Sequence, residues 1–172
     1  MRIEAIEPAS YEDALDGLAA LLVDAVEGGA SVNFLAGVTR EEAAGWWASR
    51  SDAIRVGTIT VFVARDDDGG IVGSTLIERS RNPNSPHRAE VGKVIVDRSA
   101  RRRGIASALM RAAEDHARSE GRWMLVLDTV TGSPAAALYE SLGWQTVGTI
   151  PGYALNVEGV PEAATYYYKD LR

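Results

Sequence analysis

The chain has 172 residues, 46% hydrophobic and 24% charged, which is the balance of a globular protein with enough length for one domain and its core. A net charge of −6 argues against a general binder of nucleic acid or of anionic membranes. There is no cysteine and there are only two histidines, His87 and His116, so disulfides, cysteine–zinc sites and a cysteine nucleophile are excluded and a multi-histidine metal site is not expected.

Met1–Ile6 alternates and reads as a short strand. Tyr11, Leu15, Leu18, Ala19, Leu22 and Val26 then fall on one helical face, and Gly28-Gly29 stops that helix. Ala30–Val38 reads as a loop presenting Phe34 and Leu35. Thr39 and Glu42 have capping-box spacing and open a second helix through Trp46 and Trp47. Thr58–Arg65 and Ile71–Ser80 are β-rich runs around Asp66–Gly70, a hairpin signal. Arg81–His87 is a loop, and Arg88–Asp97 is a further strand. A helix is expected over Gly104–Glu120, with Ile105, Leu109, Ala112, Ala113 and His116 on one face. Met124–Thr129 is a short apolar strand. Ser133-Pro134 starts a helix that runs to Leu142 and stops at Gly143. Gln145–Ile150 and Thr165–Lys169 complete the strands, with a Pro/Gly-bearing loop between them. Hairpins followed by β-α-β-α alternation predict a mixed α/β sheet with helices on both faces, in one domain over residues 1–172. No apolar run reaches the length of a membrane span, so the expected location is the cytoplasm, with no membrane partner.

The most informative segment is Val91–Met110. A β-branched run ends at Val96, a basic turn follows, and an alanine-rich helix begins at Gly104, with the turn reading Arg101-x-x-Gly104-x-Ala106. The first four N–H groups of a helix have no partner within it, and the helix dipole favours an anion there. A phosphate or pyrophosphate fits such a place. Gly104 and Ala106 keep side chains away from it, and Arg101, Arg102 and Arg103 add positive charge. With one glycine and no P-loop lysine, the segment is neither a Walker A loop nor a dinucleotide fingerprint. From these residues alone a solvated basic turn stands beside the anion site.

The turn resembles the pyrophosphate loop of the GCN5-related N-acetyltransferases (GNAT), and about thirty residues later Leu138-Tyr139 followed by Gly143-Trp144 resembles that family's helix ending. The resemblance implies an acyl-CoA N-acyltransferase fold. Its sheet is mostly antiparallel, with one parallel pair, Arg88–Asp97 and Met124–Thr129, splayed to admit a pantetheine arm. It implies acetyl-CoA as cofactor, held by Val94, Ile95 and Val96 of the strand, by Arg101, Arg102, Arg103 and Gly104 of the turn, and by Ile105, Ala106 and Ser107 of the first helical turn. The family's usual asparagine falls at Gly132, so either that contact is lost or the neighbouring Ser133 takes it through a one-residue shift. Segments from Gly28-Gly-Ala-Ser-Val32 through Arg88-Ala-Glu-Val91, Lys93, Leu127-Asp-Thr129 and Pro151-Gly-Tyr153 to Tyr168-Lys-Asp-Leu171 look like the tabtoxin resistance group within the superfamily. Asn33 and Gly92 depart from that group, which usually has glycine and glutamine there.

The resemblance makes Tyr139 the general acid, and in the narrower group an aspartate eleven residues earlier, Asp128 here, is the base. The chemistry agrees. An expelled thiolate has a conjugate thiol of pKa about 8.5, within reach of a tyrosine near 10, and an ammonium acceptor has to lose a proton before it attacks. Tyr139 as a core aromatic and Asp128 as a turn or helix-cap residue are the structural alternatives. Glu90, on the neighbouring strand, is a second candidate for the base, set against a solvent-facing or salt-bridged strand residue, and with Phe34 it is expected to line the acceptor site. The expected reaction is acetyl transfer to a primary amine of a small, amino-acid-like molecule by direct attack, without nucleic acid as partner. A homodimer is left open. The rivals are a peptide or protein N-acetyltransferase of the same fold and an acyl-CoA-binding sensor without turnover.

Overall fold

The structure, a computed structural model, describes residues 1–172. Seven strands form one sheet in the order β1-β2-β3-β4-β5-β7-β6. These are β1 (Arg2–Ala5), β2 (Ile59–Arg65), β3 (Ile71–Arg79), β4 (Arg88–Val96), β5 (Met124–Val130), β6 (Gln145–Leu155) and β7 (Pro161–Asp170). Every neighbouring pair is antiparallel except β4 and β5, which are parallel. The helices are α1 (Tyr11–Glu27), α2 (Arg40–Ala48), α3 (Ser51–Arg55), α4 (Ile105–Ser119) and α5 (Pro134–Ser141).

Strand alternation gives the sheet two apolar faces. Val61, Val63 and Leu76 pack against Leu18, Leu22 and Trp47 of α1 and α2. Phe62, Ile77, Ala89, Val91, Leu125 and Leu127 point the other way, onto Leu109, Ala113 and Ala117 of α4 and Tyr139 of α5. Helices therefore cover both faces, as expected. His116 is half-buried on α4, its ring edge-on to Phe62 with centroids 5.5 Å apart and its Nε2 3.2 Å from Thr60 Oγ1.

Local signals formed as read. Thr39 and Glu42 close the capping box, each side chain meeting the other's backbone N–H at 3.1 and 2.8 Å. Asp66 Oδ1 accepts from the N–H groups of Asp68 and Gly70, which sets the β2–β3 turn. Ser133 Oγ accepts from Ala136 N–H at 3.2 Å and caps α5.

Two readings need correction. The chain between Trp47 and Thr58 holds a five-residue helix, α3, that the sequence pattern did not show. The Pro/Gly-bearing loop expected between Ile150 and Thr165 is mostly strand. β6 continues to Leu155 and β7 starts at Pro161, so the connection is only residues 156–160. Ile150 pairs with Ala164 and Ala154 with Glu162, so β6 carries two extra residues across this step. Pro151 lies in that bulge on an edge strand, where a missing N–H costs no ladder bond. Val147, Ile150, Tyr153 and Leu155 stand exposed along the β6 edge.

Candidate active site in the cleft between β4 and β5

β4 and β5 are paired only at Arg88–Met124, Ala89–Leu125 and Glu90–Val126. Beyond these they diverge. Against β3, Ser74 faces Ile95 while Leu76 faces Gly92, so β4 holds one residue more than its partner there. Within that bulge Lys93 has a left-handed φ of 51°. The hydroxyls of buried Ser74 and Thr75 donate to the carbonyls of Lys93 and Gly92 at 3.0 and 3.2 Å and hold it in place. A bulge bends its strand. The divergence opens a cavity of about 1070 Å³ between the α1–α2 loop, the two strands, the start of α5, the end of β6 and the start of β7.

One end of the cavity is the basic turn. After β4, Asp97 Oδ1 accepts from Ser99 N–H and caps a single 3₁₀ turn, Arg98–Ala100. Arg98 is taken up by Asp24 and Glu27 of α1. Arg101, Arg102 and Arg103 are exposed and in no ion pair, and Arg101 Nε reaches back to Val96 O at 3.2 Å. Arg102 and Gly104 both adopt left-handed φ, 60° and 77°. Gly104 precedes α4 without any side-chain cap, so the first N–H groups of that helix have no side chain to satisfy them. These free donors beside three guanidinium groups that form no ion pair suit a pyrophosphate.

At the middle of the cleft stand Tyr139 and Asp128. α5 ends in a Schellman motif, with Trp144 N–H bonded to Tyr139 O and Gly143 N–H to Glu140 O, both at 3.0 Å, and Gly143 at φ 81°. Trp144 Nε1 donates to buried Glu114 Oε1 at 3.1 Å, and Lys169 Nζ joins Glu114 to the Leu142 carbonyl. This network fixes the backbone of Tyr139, whose ring packs between Trp144 and Tyr167. Burial first, and then the negative charge of Asp128, push the Tyr139 hydroxyl well above its ordinary pKa. Asp128 and Glu90 are both open at the mouth, yet desolvation by the walls raises both. Lys93 pulls Asp128 down, while Asp128 and Glu78 push Glu90 further up. Ser133 lines the same cleft, with its hydroxyl 3.4 Å from Thr129 Oγ1.

The far end joins Phe34, an expected acceptor-site residue, to Lys93 and Arg50, which the sequence did not single out as a site. Lys93 Nζ donates to Asn33 Oδ1 at 2.7 Å and lies 4.6 Å from the centre of the Trp46 ring. Arg50 lies 4.1 Å from the same ring. Phe34 meets Trp46 edge-on at 6.1 Å. Burial, and then Arg50, bring the Lys93 ammonium down to about 8, against the opposing pull of Asp128 and Glu90. Lys93 was visible only as part of a strand motif, and Arg50 gave no signal at all.

Of the sequence candidates, Phe34, Glu90, Val94, Ile95, Val96, Arg101, Ala106, Asp128, Ser133 and Tyr139 line the one cavity. Arg102, Arg103, Gly104, Ile105 and Ser107 do not. The Ile105 side chain is buried in the core beside Gly73, so its expected part in the turn falls to its backbone N–H. His87 stacks on Trp123 at 4.3 Å, away from the cleft.

The profile of the family described as "Acetyltransferase (GNAT) domain" matches residues 57–146, from the start of β2 through α5. Among curated proteins, the L-amino acid N-acetyltransferase AaaT of Escherichia coli (strain K12) is 34% identical over 93 residues, covering 51% of this chain and 55% of that protein. The chain thus spans about half the length of the curated relative it matches. Among solved structures, an N-acetyltransferase from Staphylococcus aureus Mu50 superposes with a TM-score of 0.80 at 21% identity, with all of both chains covered. The yncA protein of Salmonella typhimurium, solved with its cofactor acetyl-CoA, does so with a TM-score of 0.77 at 19% identity, covering 100% of this chain and 94% of the other. At these identities the structural likeness concerns the fold.

Proposed function

The chain belongs to the GNAT acetyltransferase family, and we propose that residues 1–172 act as one N-acetyltransferase domain that acetylates a primary amine on a small, amino-acid-like molecule by direct attack. The observation that carries this reading is the cleft itself, where one continuous cavity joins Arg101 and the start of α4 to Tyr139 and Asp128. The free N–H groups of Ile105, Ala106 and Ser107, with Arg101, Arg102 and Arg103, would hold a pyrophosphate. The diverging edges of Val94–Val96 and β5, with Ser133, would flank the arm that follows it. When bound, acetyl-CoA supplies an activated acetyl thioester and a sulfur leaving group. Asp128 accepts the proton released by the amine at its carboxylate. Tyr139 keeps its proton at working pH because burial and Asp128 raise its hydroxyl, and that hydroxyl would be the proton donor for a thiolate leaving group. The tabtoxin-like spacing of Asp128 and Tyr139, and the amino-acid acceptor for which the E. coli relative is named, support the small-molecule reading.

Thiol release from acetyl-CoA over a panel of amines tests it. Release with small amines is expected, and Tyr139→Phe should lower kcat by roughly a hundredfold or more while leaving the acetyl-CoA dissociation constant nearly unchanged. Release with peptide N-termini alone would instead assign a protein acetyltransferase. Cofactor binding without release over the whole panel would assign a sensor.

A further inference from the structure

We propose that Lys93 and Arg50 are the specificity determinants of the acceptor site and bind an α-carboxylate, so that the acceptor is a free amino acid or a close analogue with an anion beside its amine. This rests on the acetyltransferase reading above. The fold neutralises its partly buried cations elsewhere, pairing Arg65 with Glu4, Arg79 with Glu120 and Lys169 with Glu114. Lys93 and Arg50 are in no ion pair. Their polar partners are neutral, Asn33 Oδ1 for Lys93 and Ser49 Oγ for Arg50, each at 2.7 Å. Both heads are drawn to the Trp46 ring, close enough for Arg50 to lower the pKa of Lys93. Two like charges held together at the wall of a cavity, hydrogen-bonded only to neutral groups and in no ion pair, repel each other and favour an added anion.

The cavity carries both signs of charge. Glu78, Glu90 and Asp128 line it together with Lys93 and Arg50, and Asp128 and Glu90 act electrostatically on Lys93. A zwitterion would turn its amino group toward Asp128 and its carboxylate toward Lys93 and Arg50. Backbone strain marks the same place. Only three residues other than glycine have left-handed φ, and two of them, Asn33 at 72° and Lys93 at 51°, are joined by the hydrogen bond that aims the ammonium. Strain of this kind persists where surrounding structure holds it and gathers at ligand clamps. The departure from glycine at position 33 thus gains a function, since the asparagine amide pins Lys93.

The test compares amino acids with their carboxamides as acceptors for acetyl-CoA, measured by thiol release. Amidation also changes the basicity of the amine, so the decisive quantity is how the ratio of kcat/KM for the two acceptors changes on mutation. In Arg50→Gln and in Lys93→Gln the preference for the amino acid should fall at least about tenfold, the lower bound for a charge-assisted contact, and the loss should appear in the acceptor KM. Arg50→Lys should keep most of the preference. Either glutamine variant suffices if the other does not fold. A ratio unmoved in the folded variants, or equal turnover of amino acids and carboxamides by the wild type, overturns the proposal while leaving an acetyltransferase. No thiol release with any amine overturns both.

Discussion

Asp128 is a carboxylate placed where ionisation is disfavoured, with Tyr139 on one side and Lys93 on the other. Desolvation raises its pKa above the ordinary value of about 3.9, and Lys93 only partly offsets this. A base must be ionised, so kcat/KM should fall as pH falls through that raised pKa, giving an acidic limb above the usual carboxylate range once the amine's own ionisation is separated. Asp128→Asn should remove the limb and slow turnover. Glu90→Gln should leave the limb in place, and the opposite pattern would transfer the role to Glu90. The sign of the stability effect provides a control. A carboxylate with a raised folded-state pKa favours folding while protonated, and that contribution is lost as pH rises through the folded pKa. Asp128→Asn should therefore hold or raise Tm at neutral pH, which separates lost chemistry from lost fold.

The decisive element is the turn between β4 and α4. Gly104 has φ 77°, and a Cβ there would meet nothing of the protein within 4 Å. The demand for glycine is thus conformational, together with the close approach an anion needs, and does not come from crowding by neighbours. Gly104→Val, β-branched and unable to hold that φ cheaply, should lower CoA affinity steeply, with Arg101→Ala costing less, on the order of 1–2 kcal/mol. CoA titration of folded protein decides. An unchanged affinity for Gly104→Val would remove the turn from the site. This element was legible because its determinants are contiguous: a strand, a glycine and an uncapped helix start. The capping box at Thr39, the Asx turn at Asp66 and the cap at Ser133 were legible for the same reason, since each bonds within four residues. What escaped was set at a distance. The bulge at Lys93 depends on hydroxyls of β3, nearly twenty residues away in sequence. The strand past Pro151 depends on pairing with β7. Arg50 becomes a site residue only because α2 carries Trp46 to the mouth of the cleft.

In the whole molecule the sheet consists of two hydrogen-bonded ladders, β1–β4 and β5–β7–β6, joined by three residue pairs. On the α4 and α5 side one apolar cluster bridges the junction, with Ala89 and Val91 meeting Leu125, Leu127 and Tyr167. On the other side the junction is the cleft. The coupling of the two ladders during unfolding therefore falls on that cluster and on whatever occupies the cleft. A ligand that touches both ladders and has no affinity for the unfolded chain adds about 2.7 kcal/mol at a hundredfold excess over its dissociation constant. For a chain of this size that corresponds to a rise in Tm of roughly 5–10 °C, measurable by calorimetry with CoA. Amide exchange should slow in β5 and β7 as well as in β4. Protection confined to β4 would mean that the ligand grips one ladder only. The divergence of two strands then has a consequence beyond chemistry. A cofactor bound in the cleft would act as a strut across the seam with the fewest paired residues, and the lifetime of the chain against proteases should then rise and fall with the supply of that cofactor.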